Sequence, residues 1–251
     1  VSGRGELHLS ILIETMRREG YELQVSRPEV IVKEIDGVEC EPFERVRIDT
    51  PEEYQGSIIQ ALSERKGDML DMEITGNGQA RLVFLVPARG LIGFTTEFMS
   101  MTRGYGIMNH TFDQYMPMVK GTIGGRSRGA LISMDQGSVT SYAMGYVQER
   151  GVLFVEAGTE VYAGMIIGEH SRDNDLTVNV TKAKQQTNVR SSNKDSTSVL
   201  NASKILSLEE SLEFLGDDEY MEVTPESIRL RKQILDKAMR EKATKKKKTA
   251  E

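Results

Sequence analysis

The sequence predicts an α+β protein with three parts: the end of a small α/β domain, a ferredoxin-like βαββαβ domain, and a mostly β, barrel-like C-terminal domain with a long basic loop. Three observations predict this class. Residues 1–42 contain a helix followed by short strands, residues 43–121 alternate strands and helices in the split-βαβ order, and residues 122–235 consist of short apolar runs separated by glycines. Residues 236–251 form a basic tail that we expect to be disordered.

The first segment opens with an amphipathic helix. Residues 6–19 place apolar side chains near helical spacing, and Gly20 follows as a helix stop. The pair Asp36-Gly37 lies between two short predicted strands and is typical of a tight hairpin. The chain begins at Val1 without an initiator methionine. We therefore expect it to be a fragment of a longer protein.

The second segment carries the clearest pattern. Residues 43–49 alternate apolar and polar side chains as a strand does. The following Thr50-Pro51-Glu52-Glu53 predicts a helix with an N-cap, a first-turn proline and a capping-box glutamate. Both predicted helices should cover one face of a four-stranded antiparallel sheet. The remaining predicted elements are strands over 68–75, 79–86 and 106–116, a hairpin at Asn77-Gly78, and a helix over 91–102 with Phe94 and Phe98 on one face.

The third segment, residues 122–235, has a different pattern of residues. After Lys120, glycines separate short apolar runs, and this spacing predicts an all-β domain that is closed or nearly closed. Residues 206–215 predict a short helix, and residues 227–231 fit either a strand or a helix. The apolar runs cover residues 130–134, 139–147, 152–155, 165–167 and 176–180.

Charge is unevenly distributed along the chain. The net charge is −6 and the pI about 5.4, which excludes attraction of the whole surface to nucleic acid. Residues 206–224 carry seven acids and no base, whereas residues 229–248 carry ten bases and two acids. RNA binding must therefore come from local basic patches. We expect the acidic stretch to face away from RNA or to pair with the basic segment 229–242.

The tract KAKQQTNVRSSNK, residues 182–194, is the most informative local feature. It holds four bases, no acid, and many amide and hydroxyl side chains that can donate to phosphate, ribose and base edges. The alternative is a solvated loop with no target. A second basic run has interspersed glycines that would let the backbone approach a phosphodiester chain, the alternative here being an ordinary solvated rim. This second run consists of Arg103, Lys120, Arg126 and Arg128.

The sequence offers little for catalysis. It contains no P-loop, no nucleophile elbow and no histidine pair at metal-ligand spacing, so we expect no catalytic residue and no metal or cofactor site in this chain. The single cysteine, Cys40, cannot form an internal disulfide and fits a buried side chain in a reducing cytosol. No apolar run approaches the ~20 residues that cross a bilayer.

Three stretches resemble BipA/TypA translational GTPases. GRGELHLSILIETMRREGYELQVSRPEVI resembles the end of their third domain, and RGLIGFTTEFMSMTRGYGIMNHTFDQY is similar to the second half of their elongation-factor-G-like domain V. IIGEHSRDNDLTVNVTKAKQQTNVRSS is similar to the C-terminal domain that distinguishes this family from its relatives. The resemblance covers nearly all of residues 3–240.

The resemblance implies a cytoplasmic, monomeric, ribosome-binding portion of a GTPase that supports ribosome assembly and adaptation to cold and stress. GTP and Mg²⁺ would bind N-terminal domains outside this chain. The ferredoxin-like domain would meet the stalk base of the large subunit, and the C-terminal loop would contact large-subunit rRNA and the acceptor end of A-site tRNA. The implied loop contacts are Lys182, Lys184, Gln185, Asn188, Arg190 and Lys194, with His170 and Arg172 nearby.

Three other functions are compatible with parts of the pattern. A regulatory module that binds a small ligand between ferredoxin-like domains would leave the basic tract unexplained. A phosphatase of the acylphosphatase kind needs an anion-binding loop after the first strand, but residues 49–52 are acidic there. A free RNA-binding protein would be expected to carry paired aromatics on a strand, which this sequence lacks.

Overall fold

The computed structural model describes residues 1–3, 5–121, 123–126, 128–183 and 200–250. The α-helices are α1 (Glu6–Arg18), α2 (Gln55–Glu64), α3 (Ala88–Leu91), α4 (Phe94–Met101), α5 (Ser141–Val147), α6 (Leu208–Phe214) and α7 (Lys237–Ala250). The strands are β1 (Leu23–Ser26), β2 (Lys33–Ile35), β3 (Val38–Pro51), β4 (Asp68–Thr75), β5 (Gln79–Pro87), β6 (Ile107–Pro117), β7 (Ala130–Ser133), β8 (Gly137–Ser138), β9 (Gly151–Leu153), β10 (Glu160–Val161), β11 (Met165–His170), β12 (Leu176–Val178), β13 (Glu219–Val223) and β14 (Ile228–Lys232).

The chain forms two units. The ferredoxin-like unit comprises residues 28–125 and 212–214, and the mixed-sheet unit comprises residues 1–27, 126–211 and 215–251. The structure thus divides the predicted segment 1–42, because β1 pairs with β13 whereas β2 pairs with β3. A boundary at residue 42 would also fall within β3.

The ferredoxin-like unit has the predicted βαββαβ order. Its antiparallel sheet has the order β4-β5-β3-β6, and β2 pairs with the first residues of β3. The hairpin before β3 is confirmed, because Asp36 and Gly37 both have positive φ, as a type I′ turn requires. Cys40 is buried at the start of this sheet.

One apolar core joins this sheet to its two main helices. Alternate residues of β3 and β5 are buried on the same face, as the period of two in a strand dictates. Both helices cover that face, as predicted, and each large apolar side chain buried there stabilises the fold by about 1.5–3 kcal/mol. The central residues are Val46, Ile48, Leu82, Phe84 and Val86 from strands and Ile58, Leu62, Phe94 and Phe98 from helices.

Two details of the predicted helices are wrong. Thr50 and Pro51 continue β3, where they pair with β5, and a 3-10 turn at Glu52–Tyr54 then leads into α2. Strand pairing therefore takes precedence over the predicted cap at Thr50. The second helix is interrupted, because Gly93 adopts a left-handed φ of 72° between α3 and α4.

The mixed-sheet unit is organised around β11. Its sheet has the order β1-β13-β14-β11-β7-β12, and β9 also pairs with β11. All neighbours are antiparallel except β12 and β7. Within the described residues the path runs from β1 at one edge to β12 at the other, so this sheet is open and the predicted barrel-like closure is not found.

The run at residues 139–147 contains a helix, and its prediction as a strand is wrong. The hydroxyl of Thr140 accepts a hydrogen bond from the Ala143 amide at 3.1 Å, which caps the first turn of α5. Ala143, Met144 and Val147 are buried at helical spacing against the sheet. The helix therefore contributes to the core of this unit as a strand would have done.

Helices also occur towards the C-terminus. Ser207 and Glu210 form a reciprocal capping box at the start of α6. The side chain of Asp236 accepts a hydrogen bond from the Met239 amide at the start of α7. The structure thus has a capped helix where the sequence predicted a disordered tail. The ambiguous residues 227–231 belong mostly to strand β14.

Candidate RNA-binding surface

Three arginines lie where the end of the central strand β11 meets the starts of two neighbouring strands of the mixed sheet. Because β7 and β9 are both antiparallel to β11, the starts of β7 and β9 meet the end of β11. Arg128, Arg150 and Arg172 flank these strand ends, and all three are exposed. The Gly129 amide donates to the Arg172 carbonyl at 2.7 Å, and the Ser171 amide donates to the Arg150 carbonyl at 2.8 Å. We call this group the arginine edge.

The predicted site residue His170 supports the arginine edge from within. Its side chain is 4% exposed, and Nδ1 lies 2.6 Å from the carbonyl oxygen of Asn174. This contact closes the turn that carries Arg172. Gly129 is equally constrained, because a Cβ there would lie 2.1 Å from the Asn174 oxygen. The structure therefore gives His170 a positioning role beneath the surface.

Arg126, another predicted site residue, is engaged in an internal ion network. Its two terminal nitrogens donate to the fully buried Glu219 carboxylate at 2.6 Å each. The Lys232 ammonium, 2% exposed, lies 2.8 Å from Glu219 and 2.6 Å from Asp175. Burial lowers the pKa of Arg126, but its hydrogen bonds and Coulomb attraction to Glu219 outweigh this effect and raise it. This guanidinium is therefore occupied within the protein.

The expected pairing of acidic and basic segments is confirmed on β13 and β14. Glu219 and Lys232 lie directly opposite each other, and Lys232 also contacts Asp218 at 3.0 Å. Arg231 donates to Glu222 at 2.7 Å. Asp218, Glu219 and Glu222 of the acidic stretch are therefore neutralised locally by basic residues of β14.

Lys182 is an exposed residue anchored to α5. Its carbonyl accepts a hydrogen bond from the Thr140 hydroxyl at 2.6 Å. On the far side of the tract, the Asn201 amide donates to the Gln148 side chain at 2.9 Å. Both flanks therefore attach to residues 140–150, which we call the α5 segment. Lys184, Gln185, Asn188, Arg190 and Lys194 lie outside the described residues.

Two predicted site residues belong to the ferredoxin-like unit. Arg103 is exposed after α4 and has a φ of 50°. Lys120 is exposed in a loop that Glu41 and Arg89 hold from beneath: Glu41 accepts from the Val119 amide at 2.8 Å, and Arg89 donates to the Gly121 carbonyl at 2.9 Å. Arg89 and the fully buried Glu41 also form an ion pair at 2.6 Å.

Acidic side chains share the arginine edge. Glu169 lies 3.9 Å from the Arg128 guanidinium, and Glu149 and Asp173 are exposed nearby in sequence. The edge therefore presents cations interspersed with carboxylates.

Sequence reasoning missed three residues of this surface. Arg150 lies 32 positions before Lys182, and only the pairing of β9 with β11 brings it beside Arg172. Tyr142 and Tyr146 form an edge-to-face pair on α5, with ring centroids 5.1 Å apart. Their spacing of four residues, which places two side chains on one face of a helix, was the available signal.

The described residues contain no group of three or more histidine, cysteine, aspartate or glutamate side chains that could hold a metal ion. None of the described helices combines the length and apolar character needed to span a bilayer.

Comparison with known proteins places both units. Residues 38–123 match the family model of the elongation factor G C-terminus, and residues 128–237 match the TypA/BipA C-terminal domain. A Bacillus subtilis protein, "Large ribosomal subunit assembly factor BipA", is 68% identical over 100% of this chain. The chain belongs to the TypA/BipA family.

Other TypA/BipA relatives are also similar along the chain. The proteins of the same name from Haemophilus influenzae and Escherichia coli K12 are each 53% identical over 97% of it. The chain covers 41%, 39% and 40% of the three relatives in turn. It thus spans about two fifths of the length of the TypA/BipA proteins that it matches.

Proposed function

We propose that this chain is the ribosome-binding part of a translational GTPase that assists assembly of the large ribosomal subunit. The observation that carries the proposal is the arginine edge together with Lys182, a set of exposed cations in a chain of net charge −6. Lysine and arginine bind RNA chiefly by neutralising phosphates and releasing counterions. The names of the relatives support the large subunit as the target.

The proposed partners follow from the two units. Arg103 and Lys120 of the ferredoxin-like unit would contact the stalk base of the large subunit. Lys182 and the tract that it begins would contact large-subunit rRNA and the acceptor end of A-site tRNA, with Arg172 beside them. His170 and Arg126 would act indirectly, since their polar groups are engaged inside the protein. We propose that the chain acts as a monomer in the cytoplasm.

We propose that nucleotide chemistry does not belong to this chain. The printed sequence holds no P-loop, and we propose that GTP and Mg²⁺ bind outside the region that this chain matches. Purified chain should therefore hydrolyse no GTP above the buffer rate. Turnover that copurifies with the chain through several columns would contradict this assignment.

A salt series tests the RNA contact directly. The double variant Arg128→Gln/Arg172→Gln should bind purified large subunits more weakly, because two phosphate contacts are lost. Its plot of log affinity against log salt concentration should be shallower by about 0.7–0.9 per lost contact. Binding is measured by cosedimentation over a range of potassium chloride concentrations.

The matched control is Lys237→Gln. It removes one exposed cation of the same unit outside the arginine edge, on α7. The single variants Arg128→Gln and Arg172→Gln are compared with this control. If Lys237→Gln reduces the slope of log affinity against log salt concentration as much as either of them does, the arginine edge is not the contact. A melting temperature that rises with a small metabolite, and not with RNA, would favour the regulatory-module alternative.

A further inference from the structure

The α5 segment presents an aromatic pair at the surface. Tyr146 is 60% exposed, and the half-buried Tyr142 meets it edge to face at 5.1 Å. The two hydroxyls lie 3.3 Å apart. Because Tyr142 packs against Tyr146 through both its ring and its hydroxyl, the exposed ring is held in place before any ligand arrives, which reduces the entropy lost on binding.

Cationic groups lie at both ends of this pair. Thr140, which begins the α5 segment, holds the backbone of the exposed Lys182, and the exposed Arg150 ends the segment. At the helical rise of 1.5 Å per residue these ends are about 15 Å apart. Tyr142 and Tyr146 lie between them. The order along the α5 segment is therefore cation, aromatic pair, cation.

This order matches the chemistry of an unpaired nucleic acid strand. Such a strand carries anionic phosphates along its backbone and flat bases that stack on aromatic rings. Double-stranded RNA keeps its bases within the helix, so it would leave the tyrosine rings without a stacking partner.

We propose that Tyr142 and Tyr146 form a platform on which an unpaired RNA base stacks, while Lys182 and Arg150 bind the neighbouring phosphates. The inference rests on the proposed RNA binding and adds to it the class of RNA, a single-stranded segment. Tyr146 makes the stacking contact, and Tyr142 positions it.

The test uses the full chain and fluorescence anisotropy. The probes are a labelled oligoadenylate of about 12 nucleotides, an abasic ribose-phosphate strand of equal length, and the corresponding duplex. Tyr146→Ala should weaken oligoadenylate binding by about 5- to 150-fold, the range that one stacked base provides. Its affinity for the abasic strand and the duplex should stay unchanged.

Two variants serve as controls. Tyr146→Phe keeps the ring and should restore oligoadenylate affinity to within about threefold of wild type. Tyr21→Ala removes another exposed tyrosine of the same unit, 56% exposed, and should leave every affinity unchanged. Melting curves of all variants establish that they fold.

The outcomes separate this inference from the proposed function. If the wild-type chain binds neither large subunits nor any probe, the proposed function fails. If it binds oligoadenylate and the abasic strand equally well, RNA binding stands and the stacking platform is overturned. Unchanged RNA affinity of Tyr146→Ala, with lost binding to RNA-free ribosomal proteins, would overturn the platform and assign the pair to a protein contact.

Discussion

Lys232 on β14 is buried within an internal ion network. Its side chain is 2% exposed, and the residue lies directly opposite Glu219 of β13. Lysine is almost never fully buried without partners. Glu219, Asp175 and Asp218 supply those partners.

Asp175 makes this network sensitive to pH. Burial raises the pKa of Asp175, but hydrogen bonds from Lys232 and the Ala130 amide, with the charges of Lys232 and Arg126, outweigh burial and lower it. A carboxyl whose pKa is lower in the folded chain stabilises the fold above its unfolded pKa of about 3.9. That contribution is lost as the pH falls through the folded pKa.

Replacing Asp175 should flatten the acid dependence of stability. We expect Asp175→Asn to unfold more easily than wild type at neutral pH, because Lys232 and Arg126 lose a carboxylate partner. The two chains should converge as the pH falls below about 4 and through the lower folded pKa of Asp175. Urea unfolding between about pH 7 and pH 2 measures this, with Asp173→Asn as the matched surface control. Parallel pH profiles for wild type and Asp175→Asn would contradict the prediction.

At the level of single site residues, the sequence identified the arginine edge in part. Arg128 was predicted from a basic run and Arg172 from the family resemblance, and the structure places both at the surface. Arg150 was missed because strand pairing, rather than sequence proximity, brings it to the same edge. Arg126 could not be recognised as internal from its sequence neighbours, since its partner Glu219 lies 93 residues away.

Among the elements, α5 shows where local pattern reasoning fails. Glycines on both sides of the apolar run favoured a strand over residues 139–147. The helical signal was present in the spacing of Ala143, Met144 and Val147, with Thr140 as the cap. A short apolar run fits both periods, and only the tertiary packing decides between them.

The arginine edge depends on a close approach between the backbones of Gly129 and Asn174, which we call the Gly129 crossing. A Cβ at this position would lie 2.1 Å from the Asn174 oxygen and 2.2 Å from its carbon, so the backbone would have to move. Gly129→Ala should lower the free energy of unfolding by about 1–3 kcal/mol. It should also weaken binding to large subunits, because Arg128 and Arg172 would separate.

Gly56→Ala is the matched control for this prediction. Gly56 lies in α2, and a Cβ there would have no atom within 4 Å. Because alanine is the better helix former, this variant should gain about 0.5–1 kcal/mol. Chemical denaturation followed by circular dichroism measures both changes. A Gly129→Ala chain as stable as wild type would show that the crossing can relax.

At the scale of the whole molecule, net charge opposes the local basic surface. Glu29→Gln/Glu34→Gln removes two exposed acids of the ferredoxin-like unit and changes the net charge from −6 to −4. At about 0.01 M salt, where charges act over about 30 Å, this variant should bind large subunits more tightly than wild type.

The difference in affinity between Glu29→Gln/Glu34→Gln and wild type should vanish at about 0.15 M salt, where the Debye length is about 8 Å. The charge-preserving variant Glu29→Asp/Glu34→Asp is the control and should match wild type at both concentrations. Cosedimentation at the two salt levels provides the measurement. A tighter affinity that persists at the higher salt would mean that these acids lie against the RNA.

The architecture was predictable where its signals are local. The βαββαβ unit follows from alternating strands, hairpin dipeptides and helix stops, all within about 80 residues, and these signals agreed with one another. The mixed sheet depends on pairs that are distant in sequence, such as Leu23 with Val223. No periodicity encodes such a pairing, so the sequence could predict strands there but not their order.

The pairing of β1 with β13 also has a consequence for synthesis. Leu23 leaves the translating ribosome about 200 residues before Val223, which at roughly 5–20 residues per second is a delay of about 10–40 s. During that interval all the strands of the ferredoxin-like unit are complete, whereas β1 has no strand to join. The nascent chain must therefore keep β1 from pairing elsewhere until β13 emerges about 200 residues later.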